Sequence, residues 1–312
     1  MSYLTNKRIL LTGGVGFIGK YVHKILKEKV KDTHQIIIPK RIQNDLREMK
    51  NCLEMTKKID VVIHLAGTVG GIGFNRENPG SLFHDNITMG VNLIEASRIN
   101  KVRKFTCIGT ICAYPKFTPI PFKEEDLWNG YPEETNAPYG IAKKALLVML
   151  QAYRQQYNFN GIYLLPVNIY GPGDNFDPKS SHVIAALIKR IFDAKKNKDK
   201  EIIVWGDGSA SREFFFVEDA AKSIVLATEK YNKHDPVNIG AGFEITIKDL
   251  VDKLVDLMNF KGKIIWDTTK PNGQPRRCLD VSQAEKHFGF VAETKFDEGL
   301  KKTAKWYYTH HE

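Results

Sequence analysis

Tyr139 and Lys143 close the run Tyr139-Gly140-Ile141-Ala142-Lys143, a spacing that puts both side chains on one face if the segment is helical. A lysine ammonium beside a phenol lowers the phenol's pKa towards working pH, so the tyrosine can exchange a proton with a carbonyl or alcohol oxygen while hydride moves. The same pair also arises as a surface tyrosine with a solvated lysine. Its weight here comes from position, since it follows a strand that ends in a hydroxyl residue, Thr110, and lies far downstream of a glycine-rich turn.

That turn is Thr12-Gly13-Gly14-Val15-Gly16-Phe17-Ile18-Gly19, directly after the strand Ile9-Leu10-Leu11 and before a helical pattern. Gly13, Gly16 and Gly19 permit a tight turn and a close approach of backbone, including Phe17 and Ile18, to a pyrophosphate at the helix start. The spacing G-x-x-G-x-x-G is similar to that of the short-chain dehydrogenase/reductase superfamily. The end of the second strand separates the two nicotinamide cofactors, because NAD favours a carboxylate on the ribose hydroxyls and NADP a cation on the extra phosphate. After Gln35-Ile36-Ile37-Ile38-Pro39 come Lys40 and Arg41, with no acid before Asp45, which favours NADP(H). Asp45 and Leu46 are then placed by the adenine, and Leu65, Ala66 and Gly67 line the cofactor from the end of the next strand.

The elements that must position these groups alternate along the first part of the chain: Arg8 to Thr12, Gly19 to Val30, Gln35 to Ile38, Val61 to Leu65, Asn86 to Asn100, Lys104 to Gly109, Ala142 to Tyr157 and Gly161 to Leu165. Strand and helix patterns in alternation predict an α/β, doubly wound, parallel Rossmann-type sheet. After Pro166 the glycines and prolines thicken, which predicts a smaller α/β substrate-binding domain. The division expected is 1–165 and 166–312, with elements near 214–245 joining the first. A chain of 312 residues with 42% hydrophobic content can bury a large core, and no apolar run approaches the ~20 residues of a membrane helix. The first residues run into a strand without a signal-peptide core, so a cytoplasmic address is expected. Cys52, Cys107, Cys112 and Cys278 show no metal-ligand spacing, so no metal is expected and the thiols are expected free. The net charge of +10 is spread, without a basic stripe, so nucleic acid is not expected and steering of polyanionic small molecules is the better use.

Several segments make the resemblance narrower than a superfamily. Gly67-Thr68-Val69-Gly70-Gly71-Ile72, Gly109-Thr110-Ile111-Cys112-Ala113-Tyr114-Pro115, Asn136-Ala137-Pro138-Tyr139 and Tyr170-Gly171-Pro172-Gly173-Asp174-Asn175-Phe176 resemble the GDP-L-fucose synthase family. So do Ser181-His182-Val183-Ile184, Val204-Trp205-Gly206, Arg212-Glu213-Phe214 and Lys270-Pro271-Asn272-Gly273-Gln274-Pro275-Arg276, in order along nearly the whole chain. The resemblance implies conversion of GDP-4-keto-6-deoxy-D-mannose to GDP-L-fucose, by epimerisation at C3 and C5 and then reduction of the C4 ketone with NADPH. Protons beside a ketone are acidic, so epimerisation needs a base on one face, an acid on the other and a donor for the enolate oxygen.

On their own Cys112 reads as a small buried hydrophobe and His182 as a helix-start histidine; the resemblance makes Cys112 the base and His182 the acid, with His182 also against the cofactor. Thr110 and Tyr139 would bond the C4 oxygen, Tyr139 would protonate it, and Lys143 would hold the nicotinamide ribose. Pro166, Asn168 and Ile169 would border the nicotinamide. Arg190, Arg212, Arg276 and Arg277 are implied as phosphate and sugar contacts and Trp205 as a wall of the substrate pocket. A homodimer through the helices near Asn86 to Asn100 and Ala142 to Tyr157 is also implied.

Two departures matter: the family usually carries serine where this chain has Thr110, and Gly-Met-Val-Gly where it has Gly16-Phe17-Ile18-Gly19. Threonine keeps the hydroxyl but adds a methyl group. The rivals left open are a GDP-keto-sugar 4-reductase without epimerisation, including one for a deoxy-heptose, a redox-neutral NAD-dependent epimerase or dehydratase, and an idle dinucleotide-binding module.

Overall fold

A computed structural model describes residues 2–270 and 274–311. The first half runs β1 (Ile9–Thr12), α1 (Phe17–Lys29), β2 (Ile36–Ile37), α2 (Met49–Met55), β3 (Val61–His64), α3 (Ile72–Glu77), α4 (Pro79–Ile99), β4 (Lys104–Ile108), α5 (Ala137–Tyr157) and β5 (Gly161–Pro166). The second half continues with β6 (Asn168–Tyr170), α6 (Val183–Asn197), β7 (Glu201–Trp205), β8 (Ser211–Arg212), β9 (Phe214–Phe216), α7 (Val217–Lys230), β10 (Val237–Ile239), β11 (Ile245–Thr246), α8 (Ile247–Leu257), β12 (Lys263–Asp267), α9 (Ser282–Phe288) and α10 (Phe296–His311).

Six of the strands form one parallel sheet in the order β10-β5-β4-β3-β1-β2. The order reverses around β1 and β3, the signature of a doubly wound sheet. Every residue of β1, β3, β4 and β5 is buried, as strands covered by helices on both faces must be. Apolar stripes fix the helices to it: on α1, for example, Gly19, Val22 and Leu26 are the buried positions. Although β10 comes late in the chain, it pairs with β5 from Val237↔Leu164 to Ile239↔Pro166.

A second hydrophobic cluster lies apart from the first. It joins Ile184, Leu187, Ile188 and Ile191 of α6 to Leu250, Val251 and Leu254 of α8 and Leu300, Ala304 and Tyr307 of α10. Its strands are short pairs, β7 with β12 and β6 with β9 in parallel, and β8 with β11 antiparallel.

Several boundaries differ from the sequence reading. The helix expected from Asn86 begins at Pro79, with Asn78 as its cap and proline in the first turn, where a missing N–H costs nothing. The helix expected from Ala142 begins at Ala137, so Tyr139 sits inside its first turn. The fourth strand ends at Ile108, and Thr110 instead caps a short 3-10 turn, Ile111–Ala113. The short helices α2 and α3 carry too little periodicity to stand out.

Glu213, fully buried, stitches the second half of the chain together. Its Oε1 accepts from the N–H groups of Ala241 (2.6 Å) and Gly242 (2.8 Å), and its Oε2 accepts from Leu279 N–H at 2.7 Å. Burial pushes the carboxyl up to about 7, with those three donors pulling the other way. In Glu213→Gln one acceptor oxygen becomes an NH2 that faces another donor, a loss of about 1–3 kcal/mol. A thermal melt should fall by several degrees; an unchanged midpoint would show that the three bonds hold nothing.

Candidate active site

The first part of the site is the turn between β1 and α1. Gly13 has φ +72°, and a Cβ there would lie 2.8 Å from the backbone nitrogen of Ala66. A Cβ on Gly19 would collide with the carbonyl of Gly13, so the turn closes only with glycine at both. Gly16 is the N-cap of α1 and offers no side-chain cap. Its first N–H groups therefore face outward from a tight glycine turn, an arrangement suited to the phosphates of a dinucleotide. Lys40 and Arg41 are exposed just after β2, fitting a further phosphate. Asp45 is engaged by Arg47 at 2.6 Å, which in turn reaches Asp85 at 3.1 Å, and Leu46 is buried in the main core.

The end of β3 is held from below by Thr12, whose hydroxyl meets His64 Nδ1 at 2.8 Å and accepts from Ala66 N–H at 3.4 Å. Burial first and the Lys143 charge second push the His64 imidazole down to about 3, so it is neutral. Leu65 and Ala66 are half-buried and Gly67 is exposed. A buried asparagine on α4 fixes the next residue: Asn86 Oδ1 accepts from Thr68 N–H at 3.2 Å, and its Nδ2 donates to Thr68 O (2.8 Å) and Leu82 O (2.7 Å). The sequence reading missed Asn86. Its signal was an amide among the buried positions Leu82, Gly90 and Leu93 of the same helix.

Lys143 is almost wholly buried, and its Nζ lies 4.0 Å from where a Gly67 Cβ would stand. Its main-chain carbonyl accepts from the buried Tyr163 hydroxyl at 2.8 Å. Tyr139 is half-buried and hydrogen-bonded to Thr110. The expected lowering of its phenol is not what the structure gives. Burial, and then the Cys112 sulfur, hold it above the usual tyrosine range against the Thr110 hydrogen bond. Burial also pushes the Lys143 ammonium down, and the lysine faces the Gly67 backbone.

Cys112 lies in the 3-10 turn capped by Thr110, whose hydroxyl accepts from Cys112 N–H at 3.2 Å. Its carbonyl sits where a Cβ on Gly140 would clash, so the first turn of α5 presses directly on this turn. Arg277 donates from Nη1 to the Cys112 Sγ at 3.7 Å. Arg212 completes this group: burial first, and then the Arg277 charge, push its guanidinium down to about 9, with Cys112 and Glu133 acting in the opposite sense. The two arginines come from adjacent runs of backbone, because Ser211 N–H donates to Pro275 O and Glu213 N–H to Arg277 O, both at 2.9 Å.

His182 caps α6 and is exposed, yet enough protein surrounds it to push its imidazole below the ordinary value. Its neighbours are fixed by Gly71, whose N–H donates to Ser180 O at 3.0 Å and whose missing Cβ would stand 2.7 Å from Ser181 O. One helical turn on, Asn75 Nδ2 donates to Asn136 Oδ1 at 3.1 Å, tying this segment to the start of α5.

The remaining sequence candidates are more scattered. Pro166 ends β5, Ile169 lies in β6, and Asn168 donates to Glu213 O at 3.1 Å. Arg190 donates to Ile203 O, Trp205 is exposed at the end of β7 with Lys270 Nζ 5.8 Å from its ring centre, and Arg276 pairs with Glu244. Of the segment from Lys270 to Arg276, Pro271, Asn272 and Gly273 lie outside the described residues. Among the described residues no group of His, Cys, Asp or Glu is arranged to hold a metal ion.

A parallel sheet, a glycine turn at the end of β1 and a half-buried tyrosine one helical turn before a buried lysine define a dinucleotide-dependent enzyme of the extended short-chain dehydrogenase/reductase type. The chain belongs to the NAD dependent epimerase/dehydratase family, whose pattern matches residues 9–240, and within it to the GDP-L-fucose synthase branch. It is 36% identical over 302 residues to putative GDP-L-fucose synthase 2 of Arabidopsis thaliana, covering 96% of this chain and 91% of the relative. A GDP-L-fucose synthetase from Naegleria fowleri bound to NADP superposes with TM-score 0.88 at 25% identity, over 100% of this chain and 97% of the other. The fold is shared still more closely, at TM-score 0.92 and 24% identity over 100% of both chains, with a GDP-6-OMe-4-keto-L-xylo-heptose reductase from C. jejuni.

Asn86→Ala would leave the Thr68 N–H and two carbonyls without their side-chain partner. Amide exchange at Thr68 should speed up by about tenfold or more, on the order of 1–2 kcal/mol of local protection. Unchanged exchange there would mean that the loop holds its shape without the asparagine.

Proposed function

We propose that this chain is an NADPH-dependent epimerase-reductase that converts GDP-4-keto-6-deoxy-D-mannose to GDP-L-fucose. The observation that carries the reading is the convergence of Tyr139, Thr110 and Cys112 at one turn, with two arginines beside it. A plain carbonyl reductase needs the hydroxyl pair alone, whereas a thiol beside that pair supplies the extra base that epimerisation requires.

In this reading the glycine turn and the α1 N-terminus hold the cofactor pyrophosphate, Lys40 and Arg41 hold the additional phosphate, and Lys143 holds the nicotinamide ribose. Asp45 and Leu46 border the adenine, while Leu65, Ala66, Gly67, Pro166, Asn168, Ile169 and His182 complete the cofactor wall. Bound NADPH supplies the hydride for C4. Thr110 and Tyr139 donate to the C4 oxygen, which stabilises the enolate formed when a proton leaves C3 or C5. Cys112 takes that proton and His182 returns one to the opposite face. Burial lowers the His182 imidazole below its ordinary value, which makes its protonated form a stronger acid towards the substrate carbon. Tyr139 finally protonates the C4 oxygen as the alcohol forms; its elevated pKa keeps the proton in place until the oxygen becomes basic.

The residues from 1 to 165, with elements near 214–245, are assigned to the dinucleotide, and those from 166 to 312 mainly to the nucleotide sugar. Arg190, Trp205, Arg212 and Arg276 are assigned to the GDP-sugar. A homodimer through α4 and α5 is supported by Phe83, Val91 and Val148, apolar residues left exposed on those helices. A cytoplasmic setting is supported by all four cysteines being unpaired.

The decisive experiment incubates the protein with NADPH and GDP-4-keto-6-deoxy-D-mannose in heavy water and reads the product by NMR. Oxidation of NADPH with deuterium at C3 and C5 is expected; oxidation without deuterium would reduce the activity to a 4-reductase, and no oxidation would remove this substrate. Tyr139→Phe should lower turnover by about 10²-fold or more, and near-normal turnover would take Tyr139 out of the mechanism. Arg41→Ala should raise KM for NADPH by about tenfold, the worth of one screened ion pair with a phosphate, while leaving that for NADH nearly unchanged. Equal changes for both cofactors would mean that Arg41 does not touch the phosphate.

A further inference from the structure

Arg277 is oriented differently from the other arginines of the site. It is 8% exposed, and its guanidinium is held on both sides by protein. Nε donates to Gln274 Oε1 at 2.7 Å, and Gln274, itself 6% exposed, donates from Nε2 to Lys116 O at 2.8 Å and to Pro115 O at 3.4 Å. Both carbonyls belong to the segment that follows the Cys112 turn, so the glutamine measures the position of Arg277 against the backbone that carries the thiol. The far end of the guanidinium then meets Cys112 Sγ at 3.7 Å. The Arg277 main chain is fixed as well, through Glu213 N–H at 2.9 Å. Arg212 stands close enough to feel the Arg277 charge. The sulfur is where the free end of the Arg277 fork points.

We propose that Arg277, aimed by Gln274, is a positioning residue that donates to the Cys112 sulfur, fixes its direction and stabilises negative charge that develops on it. The proposal rests on Cys112 as the base of the preceding section and takes Arg277 out of the set that grips the nucleotide. A cation within hydrogen-bond reach favours the thiolate over the thiol, and a planar fork held by its Nε fixes where that charge sits.

The test reads the thiol directly. Cys112 is the half-exposed cysteine, whereas Cys52, Cys107 and Cys278 are buried, so iodoacetamide should label Cys112 first, the thiolate displacing iodide to form a thioether. Labelling is followed by mass spectrometry without substrate, in the wild type, Arg277→Met, Arg277→Lys and Gln274→Leu, with Cys112→Ser as the blank. Arg277→Met should label about tenfold more slowly at pH 7, the loss of a cation beside the attacking sulfur, and approach the wild-type rate near pH 10. Arg277→Lys should recover part of the loss, and Gln274→Leu, which keeps the charge and removes its support, should fall between. Wild-type labelling of Arg277→Met at pH 7, or a loss that persists unchanged to pH 10, would overturn the proposal. If Arg277→Met does not fold, Gln274→Leu carries the same test, and wild-type labelling in that variant would overturn it equally. Should Cys112→Ser still exchange the C3 and C5 protons, the base assignment fails, whereas the labelling rates judge the pairing of Arg277 with the sulfur independently.

Discussion

In a sheet whose six strands all run the same way, the loops that leave the carboxyl ends of the strands emerge along one edge, and the turns that carry Gly13, Gly67, Thr110 and Cys112 depend on that constraint. The glycine turn leaves β1 there, Leu65 to Gly67 leave β3, the Thr110–Cys112 turn leaves β4, and Pro166 to Ile169 leave β5. Residues remote in sequence are thus delivered to neighbouring positions by strand order alone. What remains for side chains is fine adjustment: Thr12 and His64 across β1 and β3, Asn86 under Thr68, and the backbone contact of Gly140 with Cys112.

Burial governs the electrostatics of the site more than pairing does. His64, Lys143 and Tyr139 are each pushed towards their neutral forms by removal from water, and the named partners act as smaller corrections. Arg212 and Arg277 lie close enough for the charge of the second to lower the guanidinium of the first. Desolvation makes every hydrogen bond to a developing oxyanion count for more than it would in water.

Much of this was legible in the sequence because the main sheet consists of unbroken apolar runs separated by helical periodicity, and the glycine turn and the Tyr/Lys pair stand at its loop ends. The start of α4 was legible too late: Asn78 and Pro79 are terminus signals that the later apolar pattern overshadowed. Contacts that depend on tertiary closure left no local trace. Nothing about Gln274 marks it as the support of Arg277, and Glu213 reads as one more acid until its three backbone donors are seen. The phenol of Tyr139 departs from expectation for the same reason, since the burial of the first turn of α5 against the Cys112 turn is not a property of spacing.

The backbone pairing of Ser211 to Glu213 with Pro275 to Arg277 makes one ribbon out of two distant stretches of chain. Arg212 and Arg277 ride on it as a rigid unit, one on each rail. A change of register or tilt in that ribbon would shift both guanidinium groups in concert, so the surroundings of the Cys112 sulfur and the placement of Arg212 cannot drift apart. Divergence towards a new sugar therefore meets least resistance in the flanking loops and most in the ribbon itself, where one substitution would retune two tasks at once.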